Sequence, residues 1–173
     1  MLVGQLEIGA ADPTRPISDE YQIKAVFLFN FAQFVEWPTD AFASAQAPIV
    51  IGIFGLDPFE DYLDELVKGE HVGSRPLLVH RYKTREEIAG CHILFVSRSE
   101  EAEVRSLLDH LKRRPILTIS DVDTFTREGG IIRFATENGK IRLKINVEVA
   151  KASGLAISSK ILRPAALVTA GTK

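Results

Sequence analysis

From residue 49 to residue 120 short apolar runs alternate with amphipathic, helix-like stretches, and this alternation constrains the fold more than any other feature of the chain. Ile49 to Phe54 is rich in β-branched residues and bounded by Pro48 and Gly55, the pattern of a strand buried on both faces. Asp57-Pro58 then opens a helix by cap and first-position proline, with Phe59, Tyr62, Leu63, Leu66 and Val67 along one side. Pro76 to Tyr82 reads as a second strand, Thr84 to Ala89 as a short helix and Cys91 to Val96 as a third strand. Ser99 caps a further helix with Val104, Leu107, Leu108 and Leu111 inward. Its charges follow the helix dipole, with Glu100, Glu101 and Glu103 in the first turn and Lys112, Arg113 and Arg114 in the last. Ile116 to Ile119 is a fourth strand, and Asp121 to Arg127 a helical turn or two.

Two alternating runs, Ile131 to Glu137 and Lys140 to Asn146, flank Asn138-Gly139, the strongest short-range hairpin signal. A two-residue turn sets Ile132 opposite Ile145, Phe134 opposite Leu143 and Thr136 opposite Ile141 on the inner side. Arg133 beside Lys144 and Glu137 beside Lys140 form a wet outer side. Val147 to Ser153 is helical and stops at Gly154, and Ser158 to Leu167 is a last amphipathic stretch broken at Pro164. At the other end, Ser18 caps a helix running to Trp37, where Pro38 stops it. Tyr21, Ala25, Leu28, Phe31, Ala32 and Val35 form its stripe, but Phe27 and Phe34 lie off it. An apolar face this wide suits a helix sunk in the core or one also used as an interface. The expected fold is a single-domain α/β protein with a mixed central sheet of about five to six strands flanked by helices. Residues 18–167 form the domain, 1–17 an N-terminal remnant or tail and 168–173 a C-terminal tail.

Chemistry is harder to find. With 21 Lys and Arg against 23 Asp and Glu the net charge is −2, so no positive excess exists to hold nucleic acid or an anionic membrane. No apolar run reaches the ~20 residues of a membrane span. Residues 1–16 lack the charged start and long apolar run of a secretory signal, although Ile8-Gly9-Ala10 fits the spacing of a cleavage site. Gly52 and Gly55 after the first strand make no phosphate-binding motif, and Ser97-Arg98-Ser99 stands where a receiver domain needs its aspartate. His71, His80, His92 and His110 lack metal-ligand spacing, so no metal or cofactor is expected. Cys91 and His92 are neighbours on a strand and point to opposite faces, which prevents a nucleophile and base pair. Cys91, the one cysteine, is a small core residue with no intrachain disulfide partner. Asp121 and Asp123 follow the fourth strand closely and serve as caps or, less commonly, as cation ligands. Open α/β sheets bind ligands at the carboxyl ends of their strands, so Gly55, Asp57, Ser97 and Asp121 are the candidate ligand crevice.

Several stretches in order resemble the YfiR-like family of small bacterial proteins. They are EYQIKAVFLFNFAQFVEWP at 20 to 38, IGIFGLDPFEDYLDEL at 51 to 66, VGSRPLLVHRY at 72 to 82, CHILFVSRSE at 91 to 100, RPILTISD at 114 to 121, GGIIRF at 129 to 134 and IRLKINVEVAKASGLAISSKILR at 141 to 163. The resemblance implies a non-enzymatic periplasmic regulator. Such a protein binds the periplasmic sensor part of a membrane-anchored GGDEF diguanylate cyclase and represses it, so that cyclic di-GMP and biofilm formation rise on release. It also implies a homodimer, for which Phe27, Phe31 and Phe34 are candidates, and a partner surface in the C-terminal segment. There Leu155, Ile157 and Ile161 are candidate anchors, with Glu148, Lys160 and Arg163 around them. The best-known members of that family carry disulfides that tie their stability to redox state, which the lone Cys91 cannot form within the chain. A second reading is a small-ligand receptor serving a membrane signalling kinase or cyclase, and a distant third an uncatalogued hydrolase or transferase.

Overall fold

The computed structural model describes residues 17–169, and the expectations placed on 1–16 and 170–173 lie outside them. Helix α1 (Asp19–Phe34) runs into a two-residue strand β1 (Val35–Glu36), so it ends three residues before Trp37. Ser18 occupies its N-cap, but the cap is the Ser18 carbonyl accepting from Tyr21 and Gln22 N–H, with no side-chain bond. A single sheet follows, made of β2 (Ile49–Phe54), β3 (His71–Val72), β4 (Arg75–Tyr82), β5 (Ile93–Val96), β6 (Leu117–Ser120), β7 (Ile132–Glu137), β8 (Lys140–Ile145) and β10 (Ala166–Leu167). Its order is β10-β8-β7-β6-β5-β2-β4-β3. The five parallel strands β2, β4, β5, β6 and β7 stand in the 2-1-3-4-5 order of a doubly wound sheet, with the switch point between β2 and β5. The remaining strand β9 (Ala156–Ile157) pairs with β1 as a separate antiparallel ribbon.

The α/β class and mixed sheet are as expected, and the sheet is wider: eight strands instead of five to six. The additions are the two-residue edge strands β3 and β10, too short to carry a periodicity. The last of these changes the reading of Ser158 to Leu167, which is one helical turn, α5 (Ser159–Leu162), followed by a strand parallel to β8. Val168 N–H still donates to Ile145 O, so the chain stays tied to the sheet beyond residue 167. The hairpin has the expected register at every pair from Ile132–Ile145 to Glu137–Lys140, with Asn138 and Gly139 both at positive φ.

Helix α2 (Asp61–Val67) starts three residues after Pro58, because Asp57 Oδ1 takes Phe59 N–H in a local turn and Glu60 sits at φ 50°. Thr84 and Glu87 form a reciprocal capping box around a single 3₁₀ turn. Ser97, not Ser99, caps the next segment, which is 3₁₀ over Arg98–Glu103 before becoming α3 (Val104–Leu111). The three glutamates therefore precede α3, and Lys112, Arg113 and Arg114 follow it. Residues 123–129 form turns, not a helix. Helix α4 (Val147–Ala152) ends as expected, with Gly154 at φ 77°.

Two cores lie on the two sides of the sheet. On one, Ala25, Leu28, Phe31 and Ala32 of α1 and Leu63 and Val67 of α2 cover Ile51, Ile53, Ile93, Phe95, Ile119 and Phe134. On the other, Val104, Leu107, Leu108 and Leu111 of α3 pack on Leu94, Val96 and Cys91. Phe59 and Phe95 meet edge to face at 4.8 Å, continuing the first core between α2 and the sheet.

Candidate functional site

The switch point is where an open α/β sheet ordinarily opens a ligand crevice. Here it is filled. Ser97 N–H donates to Phe54 O (2.9 Å), Leu56 N–H donates to Ser99 Oγ (3.0 Å) and Glu100 N–H returns to Ser97 O (2.9 Å). Gly55, at φ 93°, permits this approach: a Cβ there would stand 2.6 Å from Ser99 Oγ. The four crevice candidates therefore do not converge. Gly55 and Ser97 belong to the plug, while Asp57 turns to Arg81, whose Nε donates to Asp57 Oδ2 (2.7 Å) as its terminal nitrogens grip Asp64 and the Glu60 carbonyl.

Asp121 lies in a charge cluster that was not foreseen. Lys24, only 1% exposed, donates to Asp121 Oδ2 (2.7 Å) and to Glu20 (2.6 Å), and the Tyr21 hydroxyl donates to the same Oδ2 (2.8 Å). Arg98 donates to the Asp121 carbonyl, and its Nε is 3.8 Å from Oδ1, an oxygen without a hydrogen-bond partner among the described residues. Burial, together with the bond to Asp121, pushes the Tyr21 phenol above its ordinary value. A signal for Lys24 did exist. It stands three residues after Tyr21 and four before Leu28, on the buried stripe, where a lysine needs a buried carboxylate. Because Lys24, Tyr21 and Arg98 already engage Asp121, the cluster ties α1 to the end of β6. Among the described residues no group of three or more His, Cys, Asp or Glu is placed to hold a metal.

A cleft lies at the opposite end of the sheet, between the end of α3 and α4, with Leu108, Leu111, Ile116, Ile131 and Val149 in its walls. A different surface joins residues from both candidate interfaces. The β1–β9 ribbon pairs Val35 with Ile157, Ser158 N–H donates to Phe34 O (2.9 Å), and the Lys160 ammonium lies 5.2 Å from the Phe34 ring centroid. Gln33, Phe34, Glu36, Ile157, Ser158 and Lys160 thus line one groove. Of the other C-terminal candidates, Glu148 and Arg163 are exposed, while Leu155 (3%) and Ile161 (7%) are taken by the core. Phe31 is also in the core, stacked with Phe134, and Phe27 is half-buried beside both. The outward side of α1 instead shows Ile23 (50% exposed) and Val26 (39%), which sequence reasoning did not single out.

Residues 21–166 match the family model described as YfiR/HmsC-like. The chain belongs to the YfiR/HmsC-like family. No curated protein matches it. YfiR/HmsC-like proteins are regulatory and non-catalytic, and their setting is periplasmic control of diguanylate cyclases. In this YfiR/HmsC-like domain the fold rests on no disulfide: Cys91 is free and buried, and burial pushes its thiol up to about 12. No helix among the described residues is long and apolar enough to cross a membrane.

Proposed function

We propose that this protein is a periplasmic repressor that docks the groove of Phe34, Ile157 and Lys160 on the sensor part of a membrane-anchored diguanylate cyclase. The observation that carries this reading is the contrast between a plugged switch point and an open groove in a family of regulators. A repressor needs only unequal affinity for two states of its partner, and the apolar pair Phe34 and Ile157 flanked by Lys160 and Glu36 suffices for that. Glu148 and Arg163, exposed on α4 and just after α5, are proposed as further contacts, while Leu155 and Ile161 belong to the core. The outward side of α1, with Ile23, Val26 and Phe27, is the surface proposed for a homodimer. The same plug weighs against the small-ligand receptor, whose crevice it occupies.

The test is genetic and biochemical. Deleting the gene should raise cyclic di-GMP, and wild-type protein, but not Ile157→Asp, should restore it and bind the isolated sensor domain. Unchanged cyclic di-GMP on deletion, or equal binding by Ile157→Asp, overturns the reading.

A further inference from the structure

The strap from Trp37 to Pro48 joins the β1–β9 ribbon to the sheet, and one imidazole sits beneath it. His92, 4% exposed, stacks on Phe42 with ring centroids 4.4 Å apart and an interplanar angle of 13°. Val50 N–H donates to His92 Nδ1 (3.1 Å), and since an amide N–H can only donate, Nδ1 must be unprotonated. Nε2 then carries the proton and gives it to Ala41 O (3.1 Å). Trp37 Nε1–H donates to the His92 carbonyl (3.1 Å). The strap therefore rests on the neutral form of one side chain.

Protonating Nδ1 would set an N–H against the Val50 N–H and remove that amide's acceptor. It would also place an imidazolium on one side of the Phe42 ring while the Arg75 guanidinium lies on it, 3.5 Å from the centroid. Arg75 is held there by the Ser44 and Ala47 carbonyls (2.8 and 2.9 Å). Few other charges face the imidazole: β2 supplies none, Asp40 in the strap and Glu36 of β1 are exposed, and Cys91 and the nearby Arg114 lie towards the other core. Burial is the main cause holding His92 below its ordinary 6.5, the Ala41 bond opposes it and Arg75 adds to it.

We propose that His92 is an acid-operated latch, whose protonation frees the strap and reshapes the Phe34–Ile157–Lys160 groove. The path is contiguous. The strap leaves β1 directly, and its Pro38 packs against Gly154, where a Cβ would meet Pro38 Cγ at 3.6 Å, two residues before β9. Acid thus lowers affinity for whatever the groove holds, and the partner's identity as a cyclase sensor rests on the function proposed above.

Trp37 is the only tryptophan, so its fluorescence reports the strap without any partner. On lowering the pH of the full chain from 8 to 4.5, emission should change in one step whose midpoint coincides with the His92 titration followed by NMR, below 6.5. His92→Asn, which keeps an acceptor near Nδ1 and cannot titrate, should abolish the step. If that variant does not fold, hydrogen exchange of residues 36–48 in the wild type replaces it: their protection, taken relative to the intrinsic exchange rate at each pH, should fall at least tenfold through the same midpoint. A flat Trp37 trace, a midpoint apart from that of His92, or a step that persists in the variant overturns the latch. Sensor binding should weaken at least tenfold across the same step. Binding that is unchanged across it overturns the coupling, whereas absence of binding at every pH refutes the repressor reading and leaves the latch to the fluorescence.

Discussion

Replacing Lys24 by methionine should be among the most destabilising single changes in the first helix. The substitution keeps most of the buried volume and removes the ammonium, leaving Asp121, 4% exposed, with the Tyr21 hydroxyl and a distant Arg98 Nε as its remaining partners. Taking one member from a buried pair costs about 3–5 kcal/mol, because the other charge stays behind unpaired. The Lys24–Glu20 contact adds little, since Glu20 is 45% exposed and such i,i+4 pairs are worth roughly 0.3–0.5 kcal/mol. At about 2–4 °C per kcal/mol for a chain of this size, the loss is roughly 6–20 °C in Tm. Urea unfolding followed by Trp37 fluorescence and by circular dichroism measures it, with an unchanged m-value expected. Adding Asp121→Asn removes the stranded charge, so the double variant should be more stable than the sum of the singles by about 0.5–3 kcal/mol. A cost below about 1 kcal/mol, the range of an exposed ion pair, or strict additivity, would refute the assignment of this pair as the tie between α1 and β6.

Three further outcomes follow from other sites. Arg81→Ala should cost about 1–2 kcal/mol, discounted for an exposed guanidinium, by freeing Asp57, Asp64 and the Glu60 carbonyl. Because Arg81 holds the Asp64 carboxyl below its ordinary 3.8, that stability is complete above this value and fades as the pH falls through the lower folded one, which acid titration of both proteins checks. Gly52→Ala should cost about 1–3 kcal/mol by chemical denaturation, since its Cβ would lie 2.6 Å from Tyr82 Cε2 and 2.7 Å from Cys91 Sγ. Cys91 should resist a thiol reagent at pH 8 in the native protein and react once unfolded; rapid native labelling would contradict its buried, protonated state.

What could be read from the sequence was what local rules determine. Asn138-Gly139 sets a turn and the turn sets a register, so every pair of that hairpin was legible. The strand–helix alternation was legible for the same reason, down to the opposite orientations of Cys91 and His92. Illegible features depend on residues far apart in the chain. Val35 ends α1 because Ile157, more than a hundred residues away, offers a strand partner, and nothing near Phe34 announces it. The groove inherits that blindness: Phe34 was a candidate for dimerisation and Ile157 and Lys160 for a partner, and only the ribbon places them together. Phe31, Leu155 and Ile161 show the converse, since apolar residues at a surface and in a core look alike until packing separates them.

The plugged switch point also bears on how such a protein diversifies. Gly55, Ser97 and Ser99 are held by the Ser97–Phe54 and Glu100–Ser97 backbone bonds, the Leu56 N–H to Ser99 hydroxyl bond and a close approach at Gly55, so that several contacts together close this end of the sheet. Gln33, Lys160 and Arg163, by contrast, sit outside the two cores. A lineage built on this domain can therefore exchange one recognition target for another by drift at its rim, with the sheet unchanged, while opening a ligand crevice at the switch point would require rebuilding the chain between β5 and α3.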